Sequence, residues 1–106
     1  MPEGTDQMTH EMIVGLTVAD DAGYRQYRAE MTPLLHAAGG GFRYDFVVAE
    51  VLQSASDHPI NRVFAIHFPD RRAKDAFFGD ARYLAIRARH FERSVSGRTL
   101  IAEYDR

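Results

Sequence analysis

The chain contains no cysteine. That excludes disulfides, thiolate nucleophiles, Cys–His pairs and thiolate zinc sites. No apolar run approaches the roughly 20 residues that a membrane span requires, and the first residues hold no signal-peptide hydrophobic region. A cytoplasmic protein with no membrane association is therefore expected. His10, His36, His58, His67 and His90 never fall at H-x-H or H-x-x-x-H spacing, so no metal site is expected. Gly39, Gly40 and Gly41 precede a strand pattern, not a helix, which is the wrong order for a phosphate loop. There is no G-x-S-x-G nucleophile elbow. No resident cofactor is expected.

What is present fits a single globular domain of 106 residues, 45% hydrophobic and 26% charged. Residues 1–10 are polar and unpatterned and read as a flexible N-terminal segment, with the domain over 11–106. The net charge of −2 is unevenly spread. Residues 1–61 carry three basic and nine acidic side chains, and residues 62–98 carry nine and four. A basic second half could attract an anion, pair with the acidic half of another copy, or be solvated arginine. Arg82, Arg89 and Arg93 form a helical stripe without interleaved aromatics, and the pI is near 6.2, so nucleic acid is not an expected partner.

The apolar spacing predicts strand (11–20), helix, strand (42–52), strand (61–68), helix and strand (97–104). Asp20 or Asp21 caps the first helix, whose Tyr24, Tyr27 and Met31 share one face. Pro33 implies a restart, with Thr32 as a new cap and Pro33 in the first turn. Gly39, Gly40 and Gly41 end that segment in left-handed conformations. Asp70 and Asp80 cap the helical segments that follow, the last running over 81–94. The order β-α-β-β-α-β predicts an α+β, ferredoxin-like sandwich with a four-stranded antiparallel sheet.

Both faces of that sheet are apolar. Met12, Val14, Leu16, Phe42, Tyr44, Phe46, Val48, Phe64, Ile66 and Phe68 alternate onto one face. Ile13, Gly15, Thr17, Val47, Ala49, Val51, Val63, Ala65 and His67 alternate onto the other. Two helices cover one side of such a sheet, and an uncovered apolar face calls for a partner. A homodimer through the sheet faces is expected.

Two segments, "GYRQYRAEMTPLLHAAGGGFRYDFVVAEVL" and "IHFPDRRAKDAFFGDARYLAIRAR", resemble the family of domain of unknown function 1330, in the dimeric α+β barrel superfamily. The shared residues are Tyr24, Tyr27, Pro33, Gly39, Gly40, Glu50, Val51, Leu52, Phe68, Pro69, Asp70, Asp80 and Tyr83. The likeness spans about residues 11–104. It implies a ferredoxin-like protomer in a face-to-face dimer, and no set reaction. Superfamily relatives include cofactor-free monooxygenases, small-molecule isomerases and haem-dependent enzymes. Family members often carry a carboxylate where this chain has His67.

Two constellations carry candidate chemistry. If Leu52 pairs with Arg62, His67 lies opposite Val47 with Asp45 as its diagonal neighbour. A His67–Asp45 pair on an apolar face would raise the basicity of the imidazole and serve as a general base. The plainer reading is a buried histidine bonded to backbone or to a partner copy. Tyr83, Arg87 and His90 line one edge of the last helix beside Leu84, Ala88 and Phe91, placed to bind a carboxylate or enolate. The plainer reading has them snorkelling at the core margin or paired with acids of the dimer.

Three functions compete. One is a homodimer binding a compact metabolite between sheet and helices. The second is a cofactor-free monooxygenase- or isomerase-like enzyme. There His67 is the base, Asp45 orients it, and Tyr44 or Arg87 holds a small aromatic or carboxylated substrate. The third is an interaction module.

Overall fold

The computed structural model describes residues 8–106. Most of the polar segment expected over 1–10 lies outside the described residues. Its last part does not: Thr9 exchanges backbone hydrogen bonds with Arg106, and β1 begins at His10. The strands are β1 (His10–Val18), β2 (Gly41–Val47), β3 (Arg62–Phe68) and β4 (Val95–Asp105). They form one antiparallel sheet in the order β2-β3-β1-β4. The helices are α1 (Asp21–Ala37), α2 (Arg71–Phe78), α3 (Ala81–Ile86) and a closing turn α4 (Glu92–Ser94). A π-helical turn, Arg87–Phe91, joins α3 to α4. The fold is α+β and ferredoxin-like, as expected.

Asp20, Asp70 and Asp80 cap α1, α2 and α3 by accepting from backbone N–H groups one turn inside each helix. Pro33 does not restart a helix, because α1 runs straight through it. Thr32 turns its hydroxyl back to the carbonyl of Arg28 at 2.5 Å instead of capping a new turn. Pro33 forfeits the one bond its N–H would make to the carbonyl of Ala29, while Met31 and Leu35 on either side of it are buried in the core. The exit is a Schellman motif: Gly39 at φ 83°, its N–H on His36 O, and the Gly40 N–H on Leu35 O. Only Gly39 of the three glycines takes the left-handed conformation.

The core lies between the helices and one sheet face. Tyr24, Tyr27, Met31 and Leu35 from α1 pack on Leu16, Ile66 and Phe68, with Phe77, Tyr83 and Ile86 from the second helical layer. Met12, Val14, Leu16, Phe64, Ile66 and Phe68 occupy the expected face.

The second strand corrects the expected pattern. β2 ends at Val47, five residues short of Leu52, and a bulge falls at Arg43 between Phe42 and Tyr44. One extra residue reverses alternation. Phe42 and Asp45 therefore join the helix side, while Tyr44 and Phe46 turn outward and stack with ring centroids 5.9 Å apart. The pairing is Val47 with Arg62 and Gly41 with His67, not Leu52 with Arg62 and Val47 with His67.

Part of the outer face is covered by the chain itself. The connection between β2 and β3 folds across β1 and β4. His58 spans Thr17 Oγ1 at 2.7 Å and Thr99 Oγ1 at 2.8 Å, and Thr17 also donates to the Pro59 carbonyl. Ile60 fills the space over Gly15, where a Cβ would lie 2.9 Å from its Cδ1. Gly15 and Thr17 thus meet their own loop and not a second sheet. What stays open is the β2 side, where Tyr44 is 58% and Phe46 55% exposed; Val51 and Leu52 of the following connection are exposed as well.

Candidate functional site

A cavity of about 360 Å³ lies between α1, the α3–π segment and the inner face of the sheet. Ligand sites occupy roughly 300–1,000 Å³, so the volume is sufficient. Its sheet wall is Met12, Val14, Leu16, Phe42, Phe64, Ile66, Arg98 and Leu100. Its helix wall carries Tyr24, Tyr27, Arg28 and Met31 from α1, then Phe78, Tyr83, Arg87 and Phe91. Six of the seven aromatics in it come from the stripe of α1, from α2 and α3, or from inward positions of the strands. The seventh, Phe91, ends the π-turn. The wider π-turn sets Arg87 and Phe91 together on the cavity wall, with the guanidinium carbon 5.5 Å from the ring centroid.

The polar groups of the cavity are distinctive. The Tyr27 and Tyr83 hydroxyls hydrogen-bond to each other at 2.8 Å. Burial raises the pKa of both above the ordinary tyrosine value. The neighbouring hydroxyl raises Tyr27 further and only partly offsets the rise at Tyr83. Burial likewise raises Tyr24, against the pull of Arg28. All three remain protonated and act as hydrogen-bond donors. Arg28 lies 3.7 Å over the Phe42 ring and donates to Tyr24 at 2.9 Å and to Asp45 at 2.7 Å. Its Nε–H is buried with no partner among the described residues. The Nε–H of Arg87 is in the same position. Glu92 Oε2 lies 3.2 Å away, near enough for an ion pair but off the N–H axis. Two buried, unmet guanidinium donors in one apolar cavity are an unusual arrangement.

The residues singled out from sequence divide between the two sides. Tyr83 and Arg87 line the cavity. His90 does not: its Nε2 meets Glu30 of α1 in its own chain at 2.9 Å. Tyr44 is on the outer face because of the bulge. His67 and Asp45 are not neighbours, since the register sets His67 beside Gly41 and Glu11, and Asp45 faces inward to Arg28. The expected gain in basicity is reversed. Burial first, then the Arg43 guanidinium, hold His67 below the ordinary imidazole value, against the opposing charge of Glu11. His67, Asp45 and His90 thus form neither a dyad nor a metal cluster.

Sequence reasoning passed over Arg28. Its signal was its position four residues after Tyr24 on the margin of the aromatic stripe, where a cation can stack on the core. It also passed over Glu11, which is 1% exposed on the outer face. Glu11 accepts from Arg43 Nε at 2.7 Å and from the Tyr104 hydroxyl at 2.5 Å, with Arg106 at 3.5 Å.

A four-stranded antiparallel sheet in this order, backed by helices over an aromatic cavity, defines a ferredoxin-like α+β protein. The chain belongs to the family described as domain of unknown function (DUF1330), whose model matches residues 12–104. A protein of unknown function from Rhodopseudomonas palustris has a similar structure, with TM-score 0.77 and 17% identity over 90% of this chain and 80% of that one. A dabb family protein with a ferredoxin-like fold from Mesorhizobium loti aligns with TM-score 0.60 and 15% identity, covering 94% and 96% of the two chains. At these identities the likeness shows the fold. No curated protein matches the chain. Among the described residues no helix is long and apolar enough to cross a membrane.

Proposed function

We propose that this is a homodimeric small-molecule-binding protein whose ligand occupies the cavity between helices and sheet. The observation that carries the reading is the cavity itself, about 360 Å³ with mostly apolar walls and a few convergent polar groups. A core of this size normally closes to crystal-like density. Here Met12, Val14, Phe64 and Phe91 remain only partly buried around an unfilled volume. The titratable groups on the wall are tyrosines and arginines, with no aspartate, glutamate or histidine among the lining residues. Such a wall donates hydrogen bonds and attracts negative charge, and it offers no ordinary base. Binding is therefore favoured over proton-transfer chemistry at this site.

The homodimer reading rests on the open β2 side of the outer face. The stacked pair Tyr44 and Phe46, with the exposed Val51 and Leu52 that follow β2, is too apolar to leave in water. A second copy related by a two-fold axis covers it with a self-complementary surface. Light scattering with the wild type and with Phe46→Glu tests assembly. The wild type should have twice the 12.0 kDa chain mass, and the variant the chain mass alone, still folded by circular dichroism. A wild type that stays at the chain mass at high concentration removes the dimer. A thermal-shift screen of small aromatic and aliphatic compounds tests the cavity. Compounds that stabilise the wild type should lose that effect in Val14→Phe, which fills the hollow. No stabilisation by any class, or stabilisation unaffected by the filling, removes the ligand site.

A further inference from the structure

Resting on that cavity reading, we propose that the ligand is an aromatic acid carrying one negative charge. Its anionic group accepts from Arg87 and from the Tyr27–Tyr83 hydroxyl pair, and its ring lies among the cavity aromatics.

Three observations converge on this class. The first is charge. Arg28, Arg87 and Arg98 line the cavity, while Asp45 and Glu92 are the carboxylates paired to Arg28 and Arg87. Three guanidinium groups against two carboxylates leave one positive charge for a ligand to meet. A singly charged anion matches that excess, and a doubly charged phosphate would exceed it.

The second is donor geometry. Arg87 follows Tyr83 by one helical turn, so the two side chains are neighbours on one face. The Arg87 guanidinium is paired only with the exposed Glu92 carboxylate through Nε, and no hydrogen bond to a described residue occupies its Nη groups on the cavity wall. In the Tyr27–Tyr83 pair one O–H is used between the rings, which leaves the other to donate elsewhere. Both protons are retained, so an anion there meets donors and no competing phenolate. A charged N–H and a hydroxyl side by side match the two oxygens of a carboxylate. Arg28 is a different case: its two Nη groups already donate, to Tyr24 and to Asp45.

The third is shape. An apolar cavity of roughly 150 Å³ takes a single benzene ring. The volume here is about 360 Å³, which calls for two fused rings or one substituted ring. Tyr24, Tyr27, Phe42, Phe64, Phe78 and Phe91 offer edges and faces on which a flat ring packs.

Calorimetric titration with naphthoate, naphthamide and the doubly charged naphthyl phosphate decides the matter. These share a ring system and differ in charge. Naphthoate should bind most tightly, with the amide and the phosphate each on the order of 10- to 100-fold weaker, the span of one charge-assisted hydrogen bond. In Arg87→Met, naphthoate should fall to the affinity of the amide, and the amide should be unchanged. Equal affinity of naphthoate and naphthamide for the wild type overturns the anion assignment while leaving the cavity reading standing. Tighter binding of the phosphate overturns the single-charge assignment. Absence of binding by all three probes overturns both readings. The wild-type series decides the question even if the variant folds poorly.

Discussion

Buried charge occurs on both sides of the sheet, and the two sides treat it differently. On the outer face Glu11 is almost fully enclosed, and its oxygens are met by Arg43, Tyr104 and Arg106. On the inner face Arg28 and Arg87 are each left with a buried N–H that nothing answers. Charge that is fully met is a structural device, because its desolvation is offset where it stands. Charge left partly unmet lowers stability and is retained where something else is to be met, which is how a binding site differs from a core. The contrast also separates two meanings of strand alternation. The Arg43 bulge sends a second consecutive side chain to the outer face, and this is what lets a β2 arginine reach a β1 carboxylate across β3.

The largest effect expected from breaking this contrast is at Glu11. Glu11→Ala removes the acceptor shared by Arg43, Arg106 and the Tyr104 hydroxyl. A cost of about 2–4 kcal/mol is expected in urea denaturation. That is less than for a wholly buried pair, because Arg43 and Arg106 are partly exposed and turn to water. Burial pushes the Glu11 pKa up, but the Tyr104 and Arg43 hydrogen bonds and the Arg106 charge outweigh it, so the folded value lies below the ordinary one. Its stabilising contribution is thus present above pH 4.5 and is lost as pH falls below that. The wild type should weaken there more steeply than Glu11→Gln. Parallel curves for the two proteins would show that the Glu11 network contributes nothing.

A smaller, opposite pH effect is expected at the neighbouring residue of β1, on the other face of the sheet. His10 is enclosed between Asp105 at 2.7 Å and Glu103 at 2.6 Å, and Lys74 of α2 meets Glu103 at 2.8 Å. Burial pulls the His10 pKa down, yet the hydrogen bonds and charges of the two carboxylates prevail, and the folded value is raised. Lys74 first, then His10, hold Glu103 down at about 2. Below pH 6.5 the imidazolium contribution is fully present, and it is lost as pH rises through the folded value above 6.5. The melting temperature of the wild type should therefore fall across that interval, and that of His10→Gln should stay flat. A wild type with no such fall would mean that His10 is neutral between its carboxylates.

The order of elements, the α+β class and the inward set Met12, Val14, Leu16, Phe64, Ile66 and Phe68 were legible in the sequence because period-two alternation survives wherever a strand is regular. Alternation failed in β2, where one bulged residue moved Tyr44 and Phe46 outward and Asp45 inward, and the His67–Asp45 pair fell with it. A bulge is set by contacts across the sheet, here Arg43 with Glu11, and local spacing carries no trace of it. Pro33 misled for a related reason. Its rule counts the lost bond and the clash with the preceding turn, and not the burial of Met31 and Leu35 beside it that holds the helix together. Tyr83 and Arg87 were legible as one helical edge. Arg28 was not, because its partner Asp45 lies 17 positions away and on the unexpected face.

The smallest expected change is the most discriminating. If Arg87 were a structural charge like Glu11, its loss would cost several kcal/mol. Its visible bond is one ion pair with Glu92, whose side chain is mostly exposed, and such pairs contribute about 0–1 kcal/mol. Against that stands a buried N–H without an acceptor, a defect of about 1–3 kcal/mol. Arg87→Met keeps an unbranched stem against Phe91, removes the defect and exposes Glu92 further to water. Its free energy of unfolding should therefore lie within about 1 kcal/mol of the wild type, on the stabilised side, even as it loses affinity for an anion. A loss of more than about 2 kcal/mol would show that Arg87 holds the fold together as Glu11 does, and the division between met and unmet charge would no longer mark the site.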